Sequence, residues 1–297
     1  MAANPDQHRL SEAENQAVFE QEIKPWIFAH AEPALQPVAV IFGGQPGAGK
    51  SRSVKAAMSE LEPRGGAVEI VGDDLREFHP LNEWLMQRDD KTAAFYTQRD
   101  ISSWIEKAIA EAKAQRLHIV IEGTMRDSNG VASTMEGLRS AGYFIDARAL
   151  AVTWRLSELG ILLRYEGQKA DRGIGRMTSP EAHRAGYDGM LVTLERIENN
   201  KLADRVTVYR RGNVAIYSNE LHGGQWAHEP QARAVVEAER ARPMTAQECR
   251  DYTQSLDRLA AMLALPERQA SADEVRQVDE LRRQARAEVK RGRGLER

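Results

Sequence analysis

Gly44, Gln45, Pro46, Gly47, Ala48, Gly49, Lys50 and Ser51 satisfy the spacing G-x-x-x-x-G-K-[ST], a pattern built to cradle phosphates. Backbone N–H groups from Gly47 to Ser51 can turn inward only where bulky side chains are missing, and a following helix N-terminus adds partial positive charge. Lys50 is then placed to neutralise the β and γ oxygens of ATP, and the Ser51 hydroxyl to ligate Mg2+; Arg52 completes the set of nucleotide-binding residues. The plain alternative is a glycine-rich turn with no ligand. An apolar run before the motif and helical sequence after it weigh against that alternative, because strand, loop and helix are the context the mechanism needs.

A phosphate loop alone does not separate a kinase from a GTPase or a motor ATPase. No Asn-Lys-x-Asp base-reading motif is present, and the nearest apolar strand ending in paired acids, VEIVGDD, is interrupted by Gly72. A small kinase is the remaining class. Such an enzyme needs a carboxylate to orient and deprotonate the attacking hydroxyl, and Asp73 and Glu122 each fall just past an expected strand end, where open α/β sheets bind ligands. Asp73 is the first choice for that base and Asp74 the second; a helix N-cap is the competing role for the pair. Glu122 closes an apolar strand, where an unpartnered carboxylate is costly to bury.

The elements that must position these residues read as a parallel α/β sheet. Short apolar runs at 37–42, 67–72, 118–123 and 143–152 alternate with helical sequence. Residues 205–219 read as a hairpin turning at Arg211-Gly212-Asn213 and added at a sheet edge. Residues 11–31 read as an amphipathic helix carrying Val18, Phe19, Ile23, Trp26 and Ile27, kinked or restarted at Pro25. After residue 228 the composition turns to Ala, Glu, Arg and Gln, so a domain over 1–228 and a helical extension over 229–297 are expected. Leu256, Leu259, Met262 and Leu263 form an apolar stripe there, whereas 271–297 is mostly charged and reads as solvated. That extension is expected to serve packing or partner binding and to be dispensable for chemistry.

The 297 residues hold 42% hydrophobic and 29% charged side chains and a formal charge of -3. A dedicated nucleic-acid binder normally carries a basic excess, so a small-molecule substrate is favoured, despite basic clusters at 164–176 and 290–297. No apolar stretch is long enough for a bilayer, and the N-terminus lacks the features of an export signal, which points to the cytoplasm. The single cysteine, Cys249, forms no internal disulfide, and no Cys or His cluster has metal-ligand spacing.

Four motifs in order resemble the zeta toxins, P-loop kinases of bacterial toxin–antitoxin systems that phosphorylate UDP-N-acetylglucosamine. They are the loop GGQPGAGKS; Asp73-Asp-Leu-Arg76-x-x-His79-Pro80; Ile121-Glu122-Gly123-Thr124-Met125-Arg126; and Arg164-Tyr165-Glu166 followed by Arg176 and Ser179-Pro180-Glu-Ala-His183. The resemblance implies a P-loop kinase-like three-layer α/β fold with a mainly parallel central sheet. It also prefers Asp73 over Asp74 by the count back from His79-Pro80. It implies sugar-nucleotide contacts from Glu106, Glu122, Thr124, Arg126 and Thr134, with Arg126 on the diphosphate. For Glu106, an ordinary exposed helical glutamate is the competing reading. Arg164 and Arg176 are implied as the pair on the transferring phosphate, where spread charge calls for planar donors. The stretch between them is a residue shorter than the family pattern, so Arg172 competes with Arg176. A small helical antitoxin is the implied partner, and draining of a cell-wall precursor the implied effect. Two other functions stand beside this one: a P-loop kinase for another hydroxyl acceptor, and a nucleotide-dependent switch or scaffold without transfer.

Overall fold

A computed structural model of the chain describes residues 4–295, with side chains through Ala287, so the basic run at 290–297 lies outside the described side chains. The N-terminal helix forms in pieces: α1 (Glu12–Val18), a π-helical turn (Phe19–Ile23) and α2 (Lys24–Ile27). Pro25 stands at the start of the last piece, directly after the π-helical turn. Phe19, Ile23 and Ile27 are buried and Trp26 is exposed, and the helix ends short of residue 31.

Beyond it the chain alternates as its apolar runs require. In order come β1 (Val38–Gly43), α3 (Ser51–Leu61), β2 (Val68–Val71), α4 (Asn82–Arg88), α5 (Ala93–Gln115), β3 (Ile119–Glu122), α6 (Ser128–Ser140), β4 (Phe144–Ala151), α7 (Trp154–Arg172) and α8 (Pro180–Asn199). Then follow β5 (Arg205–Arg210), β6 (Val214–His222), β7 (Gln225–Trp226), α9 (Ala232–Ala241), α10 (Ala246–Leu263) and α11 (Ala272–Leu295). The strands form one sheet in the order β2-β3-β1-β4-β5-β6-β7. The first five are parallel and the last two antiparallel. The hairpin adds at an edge, with Gly212 (φ 95°) and Asn213 (φ 66°) supplying the left-handed turn such hairpins need. The two-residue strand β7 extends that edge and has no apolar run to announce it.

β1 shows why the fold has three layers. All six of its residues are buried. Ala39 and Ile41 join a core with Ile101 and Trp104 of α5, Met135 and Leu138 of α6, and Met190 and Leu194 of α8. Val38, Val40 and Phe42 point the other way, onto Val54, Ala57 and Leu61 of α3. A strand buried on both faces carries no polar alternation.

The boundary expected near His228 falls between β7 and α9. Across it α9 returns to the sheet, with Ala232 and Val236 in the same core as β1. The expected stripe on α10 buries Leu256, Leu259 and Leu263 against Leu159 of α7, while Met262 stays half-buried. α11 is mostly exposed but sinks Val278 and Ala285 into that third cluster. No helix among the described residues is long and apolar enough to cross a membrane.

Candidate active site

The phosphate loop connects β1 to α3 at the carboxyl edge of the parallel strands. Gly47 (φ 76°) and Gly49 (φ 87°) take left-handed conformations. At Gly47 space is as restrictive as φ: a Cβ there would lie 2.0 Å from the Ser157 carbonyl oxygen of α7, and one at Gly160 would lie 2.3 Å from the Gly47 carbonyl oxygen. The loop thus rests directly on the backbone of α7. Gln45 fastens the contact. Fully buried, its amide donates to the Val152 carbonyl (2.7 Å) and Ser157 Oγ (3.2 Å), and its Oε1 accepts from Arg240 of α9 (3.0 Å). Ser157 Oγ in turn meets His183 Nε2 at 2.8 Å.

Lys50 curls back over the loop, where Nζ donates to the Gly44 carbonyl at 2.9 Å and lies 3.7 Å from Glu122 Oε1. A side chain on Gly44 would meet the Lys50 stem, its Cβ 3.2 Å from Cδ. Burial lowers the Lys50 pKa and the Glu122 carboxylate opposes it. Of the nine residues expected to hold nucleotide, Pro46, Gly47, Gly49, Lys50 and Ser51 line the cleft. Gly44 and Gln45 shape the loop from beneath, Ala48 is core, and Arg52 is exposed on the first turn of α3.

The cleft measures about 810 Å³, within the range of small-molecule sites. Its lining includes Asp73, Glu122, Thr124, Arg126, Thr134, Arg164 and Arg176. Asp73 makes no side-chain cap for the 3-10 helix after it, so the capping role is not the one it plays. Its carboxylate instead forms a close ion pair with Arg176, with Arg76 Nε at 3.7 Å and Arg164 Nη1 at 3.8 Å. Burial pushes the Asp73 carboxyl up, and Arg176, Arg76 and Arg164 together outweigh it, holding it below the usual carboxylate range. Asp74 lies outside the lining and is driven to about 6 by burial and by the neighbouring carboxylates of Asp73, Glu69, Glu122 and Glu77.

The two arginines are held by different devices. Arg164 rides on α7, donates to Thr178 Oγ1 at 2.8 Å, and keeps a buried Nε without a hydrogen-bond partner. Arg176 sits in the segment after Gly173, whose backbone is tied down by Gln168 Oε1 at Arg176 N (2.8 Å) and by Asp90 at Gly175 N (3.4 Å). Arg172 is exposed, pairs with Glu77 at 3.0 Å and does not line the cleft. Arg176 is therefore the one brought to Asp73.

On the other wall, Met125 adopts φ 51°, uncommon for a side chain of its size. Thr193 Oγ1 bonds its carbonyl at 2.6 Å, and its thioether fills the space a Cβ on Gly43 would take. This reversal separates Glu122 from Thr124 and Arg126 while keeping all three on the cleft. α5 contributes Gln98, Ile101, Ile105 and Ile109, one helical face. Glu106 is a turn of about 100° away from Ile105 on that helix; it is exposed and stands outside the lining, so the structure does not bring it to the site. Sequence reasoning missed Arg211, from the hairpin turn, which lines the cleft beside Gly49. Arg-Gly-Asn reads as turn chemistry, and nothing local marks its first residue as a ligand. Seven basic side chains line the cleft against three acidic ones, although the chain as a whole is slightly acidic.

A phosphate loop at the carboxyl edge of a parallel sheet, with a carboxylate and paired arginines facing it, defines a P-loop protein of the small-kinase layout. The family model described as Zeta toxin matches residues 27–222, and the chain belongs to the zeta toxin family, kinase-like toxins of toxin–antitoxin systems. It is 28% identical over 186 residues to the toxin PezT of Streptococcus pneumoniae, a match spanning 62% of this chain and 73% of that protein. It is 30% identical over 184 residues to the toxin zeta of Streptococcus agalactiae, covering 62% of this chain and 63% of the relative. The fold matches a structure from the PezAT chromosomal toxin–antitoxin system of S. pneumoniae with a TM-score of 0.72 at 22% identity, over 86% of this chain and 99% of that one.

Proposed function

We propose that the protein transfers the γ-phosphate of ATP to a hydroxyl on the sugar of UDP-N-acetylglucosamine or a related UDP-sugar, acting as a cytoplasmic toxin that blocks supply of a cell-wall precursor. The observation that carries this reading is the convergence of Lys50, Asp73, Arg164 and Arg176 on one cleft, with the buried Arg164 Nε unpartnered. A buried donor without an acceptor calls for an explanation, and an anion in the cleft supplies one here; Arg76 Nε, on the same lining, lacks a hydrogen-bond partner too.

In this reading the loop from Pro46 to Ser51 holds the triphosphate, with Lys50 exchanging the Gly44 carbonyl for phosphate oxygens. Arg176 exchanges Asp73 for the γ-phosphoryl group, which frees the carboxylate to accept a hydrogen bond from the sugar hydroxyl. The hydroxyl oxygen bonds to the γ-phosphorus, the bond to the bridging oxygen breaks, ADP leaves, and Asp73 takes the proton. Arg164 and Arg176 offset the charge that spreads over the transferring group. Arg126 meets the acceptor diphosphate and Glu122 its polar groups, with Thr124 and Thr134 beside them.

Ser51, open to the cleft at the start of α3, fits Mg2+ as a single hydroxyl ligand. Among the described residues no group of three His, Cys, Asp or Glu side chains converges on a metal-sized point. That donor set matches the habit of Mg2+ of taking few protein ligands and filling its shell with phosphate and water. When bound, Mg2+ supplies charge neutralisation on the phosphates.

The test is incubation of the full chain with ATP, Mg2+ and a panel of UDP-sugars, read by mass for one added phosphate. Phosphorylated UDP-N-acetylglucosamine is the expected product. Transfer to a different acceptor would leave the kinase and remove the substrate; nucleotide binding with no transfer to any acceptor would favour a switch. For the partner, a small helical antitoxin, the reading rests on family membership and predicts that expression of the chain alone arrests a bacterium that builds peptidoglycan, whereas Lys50→Ala does not.

A further inference from the structure

The hairpin between β5 and β6 ends over the nucleotide side of the cleft, and its tip is shaped to reach there. Gly212 and Asn213 reverse the chain with positive φ, and a register shift at Val208/Tyr209 bends the strands just before the turn. Such bulges re-aim the residues beyond them. Arg211, the first residue of the turn, puts Nε 3.8 Å from the position a Cβ on Gly49 would take. It lines the cleft with Pro46, Gly47, Lys50 and Ser51.

The charges around Arg211 are unusual for a structural arginine. Its neighbour Arg210 is paired, 3.0 Å from Glu239. The nearby carboxylates of Glu239 and Glu248 are also engaged by Arg242, at 2.8 and 2.5 Å. Arg211 itself has no ion pair or hydrogen bond among the described residues, and neither does Arg52, one residue past Ser51 on α3. The charge felt by Arg211 is that of Arg52: burial and that like charge both hold its guanidinium below the usual range. Arg211, on the cleft, and Arg52, one residue past Ser51, thus both lack a partner near the end of the phosphate loop, and the acids beside Arg211, Glu239 and Glu248, are engaged by Arg210 and Arg242. Like charges so placed repel unless an anion comes between them, and guanidinium forks match phosphate oxygens.

A phosphate loop directs its lysine to the β and γ phosphates and cradles the α and β phosphates with the backbone that enters the helix. The nucleoside side of the polyphosphate therefore leaves past Ser51, toward Arg52 and Arg211. We propose that Arg211 and Arg52 form a second anion clamp, which grips the polyphosphate of the donor on its nucleoside side. This rests on the reading of the cleft as a nucleoside triphosphate site and adds a residue from the hairpin to it.

The experiment is calorimetric titration of the full chain with Mg2+–ADP and, separately, with Mg2+–tripolyphosphate, in wild type, Arg211→Ala, Arg211→Lys, Arg52→Ala and Lys50→Ala. Loss of a charge-assisted contact predicts that Arg211→Ala binds both ligands roughly tenfold to hundredfold more weakly. Arg52→Ala should lose less, and Arg211→Lys should recover part of the loss. KM for the sugar acceptor should stay within about twofold, since the acceptor wall lies across the cleft. Affinity for both ligands unchanged in Arg211→Ala, with Lys50→Ala impaired, overturns the clamp and leaves the donor site standing. A loss confined to Mg2+–ADP overturns it too, because the arginine would then be reading the base. Wild-type protein that binds neither ligand removes the donor reading and the clamp together. Thermal unfolding of each variant shows whether a loss reflects binding or folding.

Discussion

The cleft and the C-terminal helices are made of opposite kinds of sequence. In the cleft each position carries a demand that few residue types meet: positive φ at Gly47 and Gly49, a buried amine at Lys50, a carboxylate at Asp73. After Ala232 the helices are amphipathic ones, in which Val236 and Leu259 are asked for apolar bulk and fit and for no functional group. Yet the second region reaches the first through charged tethers, among them Glu274 of α11 on Lys91 of the cleft lining, at 3.5 Å. Arg240 of α9 holds Gln45 of the phosphate loop. Arg268, between α10 and α11, forms a bidentate pair with Glu166 of α7 at 2.6 and 3.0 Å, two residues from Arg164, and also takes Glu274 at 3.0 Å. Glu166 is 5% exposed. The comparison teaches that a region with no motif can still be part of the site, because what it supplies is position.

A truncation after residue 228 is the harshest way to break that comparison. It would strip Ala232 and Val236 from the core, take the Arg240 partner from Gln45 Oε1 and take the Arg268 partner from the Glu166 carboxylate. The expected outcome, read by solubility and circular dichroism, is loss of the folded state; a soluble truncation that still transfers phosphate would make the tail dispensable after all. Within the cleft, Lys50→Ala should abolish transfer and weaken ADP binding, whereas Asp73→Asn should lower turnover by ~10² to 10⁴ and spare ADP binding. If Asp74→Asn shows the larger loss in steady-state assays, the base is the neighbour.

Arg268→Ala tests one tether alone. It strands the Glu166 carboxylate in the interior, which typically costs about 3 kcal/mol of stability in urea unfolding; adding Glu166→Gln should return part of it. The smallest effect concerns acid. Burial, Arg184 and Arg240 hold the His183 imidazole down at about 4 from an ordinary 6.5. Between these values the unfolded chain takes up a proton that the folded chain refuses, so this contribution is whole above about pH 6.5 and drains as pH falls toward 4. His183→Asn should flatten that limb of a stability–pH curve, and an unchanged slope would show that the imidazole is not its source.

The sheet was legible because its central strands are short apolar runs between helical stretches, β1 being buried throughout, and the loop because its chemistry admits so few residues. Asp73 was legible from its place just past β2. Glu106 was not, because the placement depends on helix phase: one residue along α5 separates the cleft wall at Ile105 from the exposed face. Arg176 and Arg172 could not be ranked from spacing, since the partner that distinguishes them, Asp73 against Glu77, lies about a hundred residues away in sequence. The tethers from Arg240 and Arg268 were invisible for the same reason. In a sequence they are two more arginines in a charged, helical stretch.

The contact between Gly47 and Gly160 has a genetic consequence. Gly160 lies in the second turn of a long helix and bears no functional group, but any side chain there would push on the carbonyl of a residue that shapes the phosphate loop. Loss-of-function alleles of this chain should therefore not map to the loop alone. A Gly160→Ala allele would behave as a phosphate-loop allele at a distance of more than a hundred residues, and second-site revertants of it would be sought in the loop's floor, at Gln45, Ser157 and Arg240.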